Sequence, residues 1–81
     1  MRDKDIKPSD PTLIAFGLHL LNLRRKAGLS QEKLSELTNL DNTHISALER
    51  ARRNPSLTAL IKLSKGLNVP HSEMLNFKID D

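Results

Sequence analysis

A chain of 81 residues can bury one modest core and no second one, since domains commonly run to roughly 100–150 residues. It has no cysteine, which excludes a disulfide framework and a thiolate metal site and suits a reducing cytoplasm. The formal charge of +3, from 13 basic and 10 acidic residues, is compatible with a polyanionic partner but does not require one, and no apolar run approaches the ~18 residues of a membrane span.

Residues 1–9 are polar, with Pro8, and read as an N-terminal arm. Over residues 1–11, Arg2, Lys4 and Lys7 cancel against Asp3, Asp5 and Asp10; the charged N-terminus leads into no apolar block and does not read as a signal peptide. Asp10-Pro11 then has the form of an N-cap followed by proline at the first helical position. Leu13, Phe16, Leu20, Leu23 and Ala27 form one stripe of the helix that follows, and Gly28 ends it as a left-handed cap. Ser30 caps a second helix, residues 31–38, with Leu34 and Leu37 as its apolar residues; Lys33 stands where a capping box would need Glu or Gln. Asn39 suits a positive-φ turn, and Asp41 caps a third helix, about residues 42–50. Pro55-Ser56 opens a fourth helix, which carries Leu57, Leu60, Ile61, Ser64 and Leu67 and ends between Gly66 and Asn68. Beyond Pro70 a last helical turn holds Met74, Leu75 and Phe77. Strand signals are nearly absent, so residues 10–77 are expected to form one all-α domain of five helices, with residues 78–81 as a tail.

The informative stretch is residues 29–54. Two short helices separated by Asn39-Leu40-Asp41 match a helix-turn-helix. At ~100° per residue, Ile45, Leu48 and Glu49 gather on one side of the third helix. Thr43, Ser46, Ala47 and Arg50 gather on the other, flanked by Asn42 and His44. Nothing bulky holds that outward face away from a groove, and its hydroxyl, amide and guanidinium groups suit base edges and phosphates. Basic residues cluster at Arg24-Arg25-Lys26 and at Arg50, Arg52 and Arg53; on a shared face they would make the footprint of a polyanion binder.

From Phe16 to Leu75 the chain resembles the Cro and phage-repressor helix-turn-helix family, also called XRE. The residues that carry the resemblance are Arg24, Gly28-Leu29-Ser30-Gln31-Glu32 with Leu34, Ile45-Ser46, Glu49-Arg50, Asn54-Pro55-Ser56-Leu57 and Leu67-Asn68-Val69. The run from Leu40 to Ser46, followed by Glu49-Arg50 and Arg53-Asn54, is particularly similar to restriction–modification controller proteins. The resemblance implies a lambda-repressor-like fold and a role for each motif residue. Asn42, Thr43, His44, Ser46 and Ala47 would face bases, with Ala47 able to meet a thymine methyl. Gln31 would bond a phosphate or pack on a base-contacting neighbour, while Arg50, Arg53 and Asn54 would hold phosphates. Arg24 would form a structural ion pair with the inward-facing Glu49.

Departures from the family pattern carry expectations of their own. Ala51 stands where glycine is usual, so the third helix must end with strain or end differently. Ser35 and Ser64 occupy positions usually held by alanine, at some cost in packing. Ile14, Leu18 and Leu21 make a second apolar stripe on the first helix. That stripe is expected to meet Met74, Leu75 and Phe77, a second subunit, or Ile6 of the arm.

These observations support a cytoplasmic, sequence-specific transcriptional regulator that binds double-stranded DNA as a homodimer on a near-palindromic operator. Glu32 and Glu36 are weak candidates for touching RNA polymerase. Two other readings keep the fold: the antitoxin of a toxin–antitoxin pair, and a protein-interaction module without DNA binding. Enzymatic activity is not expected, nor a cofactor or metal. His19, His44 and His71 lie on three separate elements, and no Gly-rich phosphate loop exists. Each histidine reads as a surface residue except His44, whose protonation toward pH 6 would strengthen DNA binding.

Overall fold

A computed structural model describes residues 10–80; the arm at residues 1–9, with Ile6, and the terminal Asp81 lie outside the described residues. Helix starts follow the capping chemistry of the sequence. Asp10 Oδ1 accepts the amides of Thr12 and Leu13 at 2.9 and 3.3 Å and opens α1, Pro11–Lys26. Ser30 Oγ accepts the amide of Lys33 and opens α2, Gln31–Thr38; Ser56 Oγ accepts that of Ala59 and opens α4, Leu57–Leu67. Asp41 precedes α3, Asn42–Glu49, but its side chain makes no cap bond. Its carboxylate is exposed and contributes only its charge near the helix N-terminus.

The helix ends share one geometry. After α1, Gly28 takes φ +72° while the amides of Gly28 and Leu29 bond the carbonyls of Arg25 and Arg24, a Schellman motif. Asn68 closes α4 in the same way at φ +59°, and Asn39 closes α2 at φ +59° with a bond to the Ser35 carbonyl. Ala51 also adopts φ +59°, so α3 ends by the glycine-type motif without the glycine. That places the end of α3 at Glu49, one residue short of the expected boundary, with Arg50 as its C-cap.

The expected fifth helix is a 3₁₀ turn, His71–Leu75, so the described residues form four α-helices and this turn. Only five residues separate Pro70 from Asn76, and the bonds Glu73 N–H to Pro70 O and Asn76 N–H to Glu73 O are of the i to i−3 kind. Among the described residues no strand occurs, and no helix is long and apolar enough to cross a membrane.

The core joins all five elements. It contains Phe16 and Leu20 of α1, Leu34 of α2, Leu40 of the turn, Ile45 and Leu48 of α3, Ala59, Leu63 and Leu67 of α4, and Met74. Ala27, expected on the inner stripe of α1, is exposed, and Leu37 of α2 is half exposed. The buried polar side chains are satisfied. Thr38 Oγ1 donates to Leu34 O at 2.7 Å and accepts the Leu40 amide, which braces the turn between α2 and α3. Ser64, fully buried, donates to Ile61 O at 2.8 Å and meets His71 Nδ1 at 2.6 Å, which offsets the packing cost of serine at that position. Ser35 likewise bonds Leu40 O.

The first and third helices touch backbone to backbone at Gly17. A Cβ added there would lie 2.6 Å from the carbonyl oxygen of Glu49 and 2.8 Å from that of Leu48. An exposed helical glycine gains up to about 1 kcal/mol on replacement by alanine. Gly17→Ala should reverse that sign and destabilise the fold by about 2 kcal/mol, because α1 and α3 must separate. Urea denaturation of the variant checks it.

Candidate nucleic-acid interface

α2 and α3 are joined by Asn39-Leu40-Asp41. The left-handed Asn39 reverses the chain, and Leu40, 8% exposed, anchors the turn in the core. On α3 the amphipathic division is complete on its inner side: Ile45 and Leu48 have no exposed surface. Asn42, Thr43 and Arg50 are exposed, and His44, Ser46 and Ala47 are half-buried. The expected base-facing set is thus accessible, though its middle part is set back against the neighbouring elements. Beyond the turn at Ala51, Asn54 is exposed and Arg53 half-buried. The Arg52 amide bonds Ala47 O at 2.9 Å, which holds the start of this loop beside the end of α3.

The end of α3 is held by a polar network. Glu49 accepts from Arg24 Nε at 2.6 Å, from Arg24 Nη2 at 3.1 Å and from Gln31 Nε2 at 2.8 Å. Arg24 Nη1 also donates to the Leu29 carbonyl at 2.9 Å. The two charged side chains keep only 12% and 5% of their surface exposed. The hydrogen bond to Glu49 raises the Arg24 pKa above its ordinary value, against the opposing effect of burial. A cation whose folded pKa is raised contributes stability that is full below its ordinary pKa and is lost as pH rises through the folded one, so this contribution is fully present near neutrality.

This geometry bears on two expectations. Arg24 makes the ion pair with Glu49 that the family resemblance implied and so is turned away from the basic cluster, of which Arg25 and Lys26 stay exposed. Gln31 has its amide nitrogen on Glu49, a bond that helical spacing within one element cannot disclose.

The second apolar stripe also divides. Ile14 and Leu18 are 40% and 55% exposed, Leu21 is half-buried, and Leu75 is 63% exposed. Met74, expected at this surface, lies instead in the core at 1% exposure, because the tighter 3₁₀ turn rotates it inward while Leu75 faces out. Phe77 is half-buried, edge-on to Phe16 with centroids 6.2 Å apart and tilted over His19 at 5.4 Å. Together Ile14, Leu18 and Phe77 line an open groove. Ile79, in the tail, is 42% exposed. His19 and His71 are more than surface decoration: His19 Nε2 donates to Glu73 O at 2.6 Å, and His71 meets Ser64. Among the described residues no cluster of His, Cys, Asp or Glu could hold a metal ion.

A helix-turn-helix family profile matches residues 20–74, and the chain belongs to this family, in its XRE-type branch. Within it the chain is similar to restriction–modification control proteins. It is 42% identical over 64 residues to control protein C.MunI of Mycoplasma sp, covering 78% of this chain and 86% of that one. It is 40% identical over 65 residues to control protein C.BamHI of Bacillus amyloliquefaciens, covering 79% and 80% respectively. The crystal structure of the restriction-modification controller protein C.AhdI from Aeromonas hydrophila superposes with a TM-score of 0.75 at 40% identity, covering 76% of this chain and 94% of that one.

Breaking a buried ion pair from one side leaves an uncompensated charge. Arg24→Met should therefore cost about 3 kcal/mol in chemical denaturation. The double variant with Glu49→Met should cost less than the sum of the two single changes, because neither charge is then stranded.

Proposed function

We propose that this chain is a sequence-specific transcriptional regulator of the controller type. In this reading it binds duplex DNA as a homodimer on a near-palindromic operator and reads the major groove with α3. The observation that carries the reading is the division of α3. Its Ile45–Leu48 side is wholly buried, while Asn42, Thr43 and Arg50 stay open to solvent with Ser46 and Ala47 between them. Such a surface offers hydroxyl, amide and methyl groups to base edges. Arg50, Arg53 and Asn54 are assigned to phosphates and set the docking register, and His44 is assigned to the groove. The restriction–modification controllers to which the chain is similar support the regulatory role.

One such domain spans few base pairs, so pairing supplies affinity, with half-sites about one turn or ~34 Å apart or a multiple of it. The groove lined by Ile14, Leu18 and Phe77, with Leu21 and the exposed Leu75 assigned to its surroundings, is the proposed dimer surface. Glu32 and Glu36 are exposed on α2 and form the surface assigned to polymerase contact.

Selection from random DNA should enrich a two-fold-symmetric site. Affinity for it should fall steeply with salt through counterion release. Arg50→Ala should weaken binding to all sequences and flatten the salt dependence by about one counterion, whereas Ser46→Ala should lower discrimination at one position of each half-site. Enrichment of no sequence at all would favour a protein-interaction role.

For the dimer, analytical ultracentrifugation should give twice the mass of one chain at micromolar concentration. Leu18→Lys should return a folded monomer with the same helical circular dichroism. A dimer unaffected by Leu18→Lys and Leu75→Lys together would place the contact elsewhere.

A further inference from the structure

We infer that Gln31 is a positioning residue for α3, acting through Glu49 and not by holding a phosphate. The inference rests on the DNA-binding reading above and deepens it. Gln31 is the first residue of α2 and Glu49 the last of α3, and their side chains meet at 2.8 Å. Glu49 thereby collects the end of α1, through Arg24, and the start of α2, through Gln31, onto one carboxylate.

Other features make α3 unusually dependent on this junction. It is only eight residues long, too short to be stable by its own hydrogen bonds. Asp41 gives it no side-chain cap bond, and its last turn carries no basic residue to complement the helix dipole. Its C-terminal turn holds Ala51 at φ +59°, a conformation that costs a non-glycine residue about 1 kcal/mol. Packing of Ile45 and Leu48 sets the depth of the helix in the core. Apolar contacts are non-directional, however, and fix its rotation less sharply than a hydrogen bond does. Arg24 ties Glu49 to α1 and, through the Leu29 carbonyl, to the loop before α2, but makes no bond to a side chain of α2. The Gln31 amide supplies that bond, and it does so as a neutral donor, which leaves the Arg24–Glu49 charge balance unchanged.

A phosphate contact and a positioning role predict different losses. Phosphate contacts carry no sequence information, so removing one weakens binding to every duplex alike. Loss of alignment in α3 degrades base contacts selectively, because those need donor and acceptor geometry to be right.

The test uses the full chain with two duplexes: one enriched from a random pool by the wild-type protein, and a shuffled duplex of equal composition. Gln31→Met keeps the length of the side chain and removes its donors. The expected result is about a tenfold loss of affinity for the enriched duplex, with affinity for the shuffled duplex and the salt slope unchanged, measured well below the melting temperature. Gln31→Glu adds a pH readout. Its carboxyl would face that of Glu49, and the two would share a proton at low pH. Discrimination by this variant should recover as pH falls from 8 to about 5.5, where a carboxylic acid can again donate to Glu49. Equal losses on both duplexes with Gln31→Met, or discrimination by Gln31→Glu that does not respond to pH, would overturn the positioning role and leave the DNA-binding reading standing. A pool that yields no enriched duplex would overturn both.

Discussion

The Glu49 carboxylate is the point on which the arrangement of the first three helices converges. It sits at the end of α3 with almost no exposed surface, in a place where an unpaired charge would be strongly unfavourable. Its partners are therefore obligatory: a two-pronged guanidinium from α1 and an amide from α2. An ion pair of this kind is seldom a net source of stability compared with an apolar replacement. What it supplies is direction, since the fork of Arg24 fits the carboxylate in few orientations.

The network works because the backbones beneath it are close. Gly17 lets α1 lie directly against the carbonyls of Leu48 and Glu49, and the last turns of α1 then bring Arg24 alongside Glu49. Burial and polar contact thus act at the same end of α3. The apolar residues Ile45 and Leu48 hold its inner side in the core and the carboxylate fixes its end, while Asn42, Thr43 and Arg50 on the outward side stay exposed.

Much of this was legible in the sequence, for local reasons. Ser30, Ser56 and Asp10 are caps because their short oxygens reach an amide two or three residues on, and Gly28 is a helix stop because it has no Cβ. The inner face of α3 follows from spacing alone. What the sequence concealed depends on contacts between distant elements. Nothing near Gln31 announces a bond to a residue 18 positions away, and nothing near Gly17 announces the carbonyls it admits. The inward position of Met74 is hidden for a related reason. A five-residue segment fits an α or a 3₁₀ turn equally well, and the two turn successive side chains by different angles. The choice of the 3₁₀ form sent Met74 inward and Leu75 out.

The end of α3 shows how strain and site are joined. α1, α2 and α4 end with glycine or asparagine in the left-handed region, residues that reach it at little cost, but α3 ends with alanine. The strain is tolerated because the Ala51 methyl is buried at 5% exposure, where its lost contact with water offsets about 0.8 kcal/mol. A glycine would remove the strain and with it that buried methyl, and would loosen the unfolded chain further. The two residues are therefore nearly balanced in stability, and alanine is the stiffer of the two. Stiffness matters at this position because the bond from the Arg52 amide to Ala47 O starts the loop that leads to Arg53 and Asn54. A rigid exit from α3 keeps those side chains in a fixed relation to the exposed face of the helix. On the proposed DNA-binding reading, phosphate grip and base reading would then share one frame of reference.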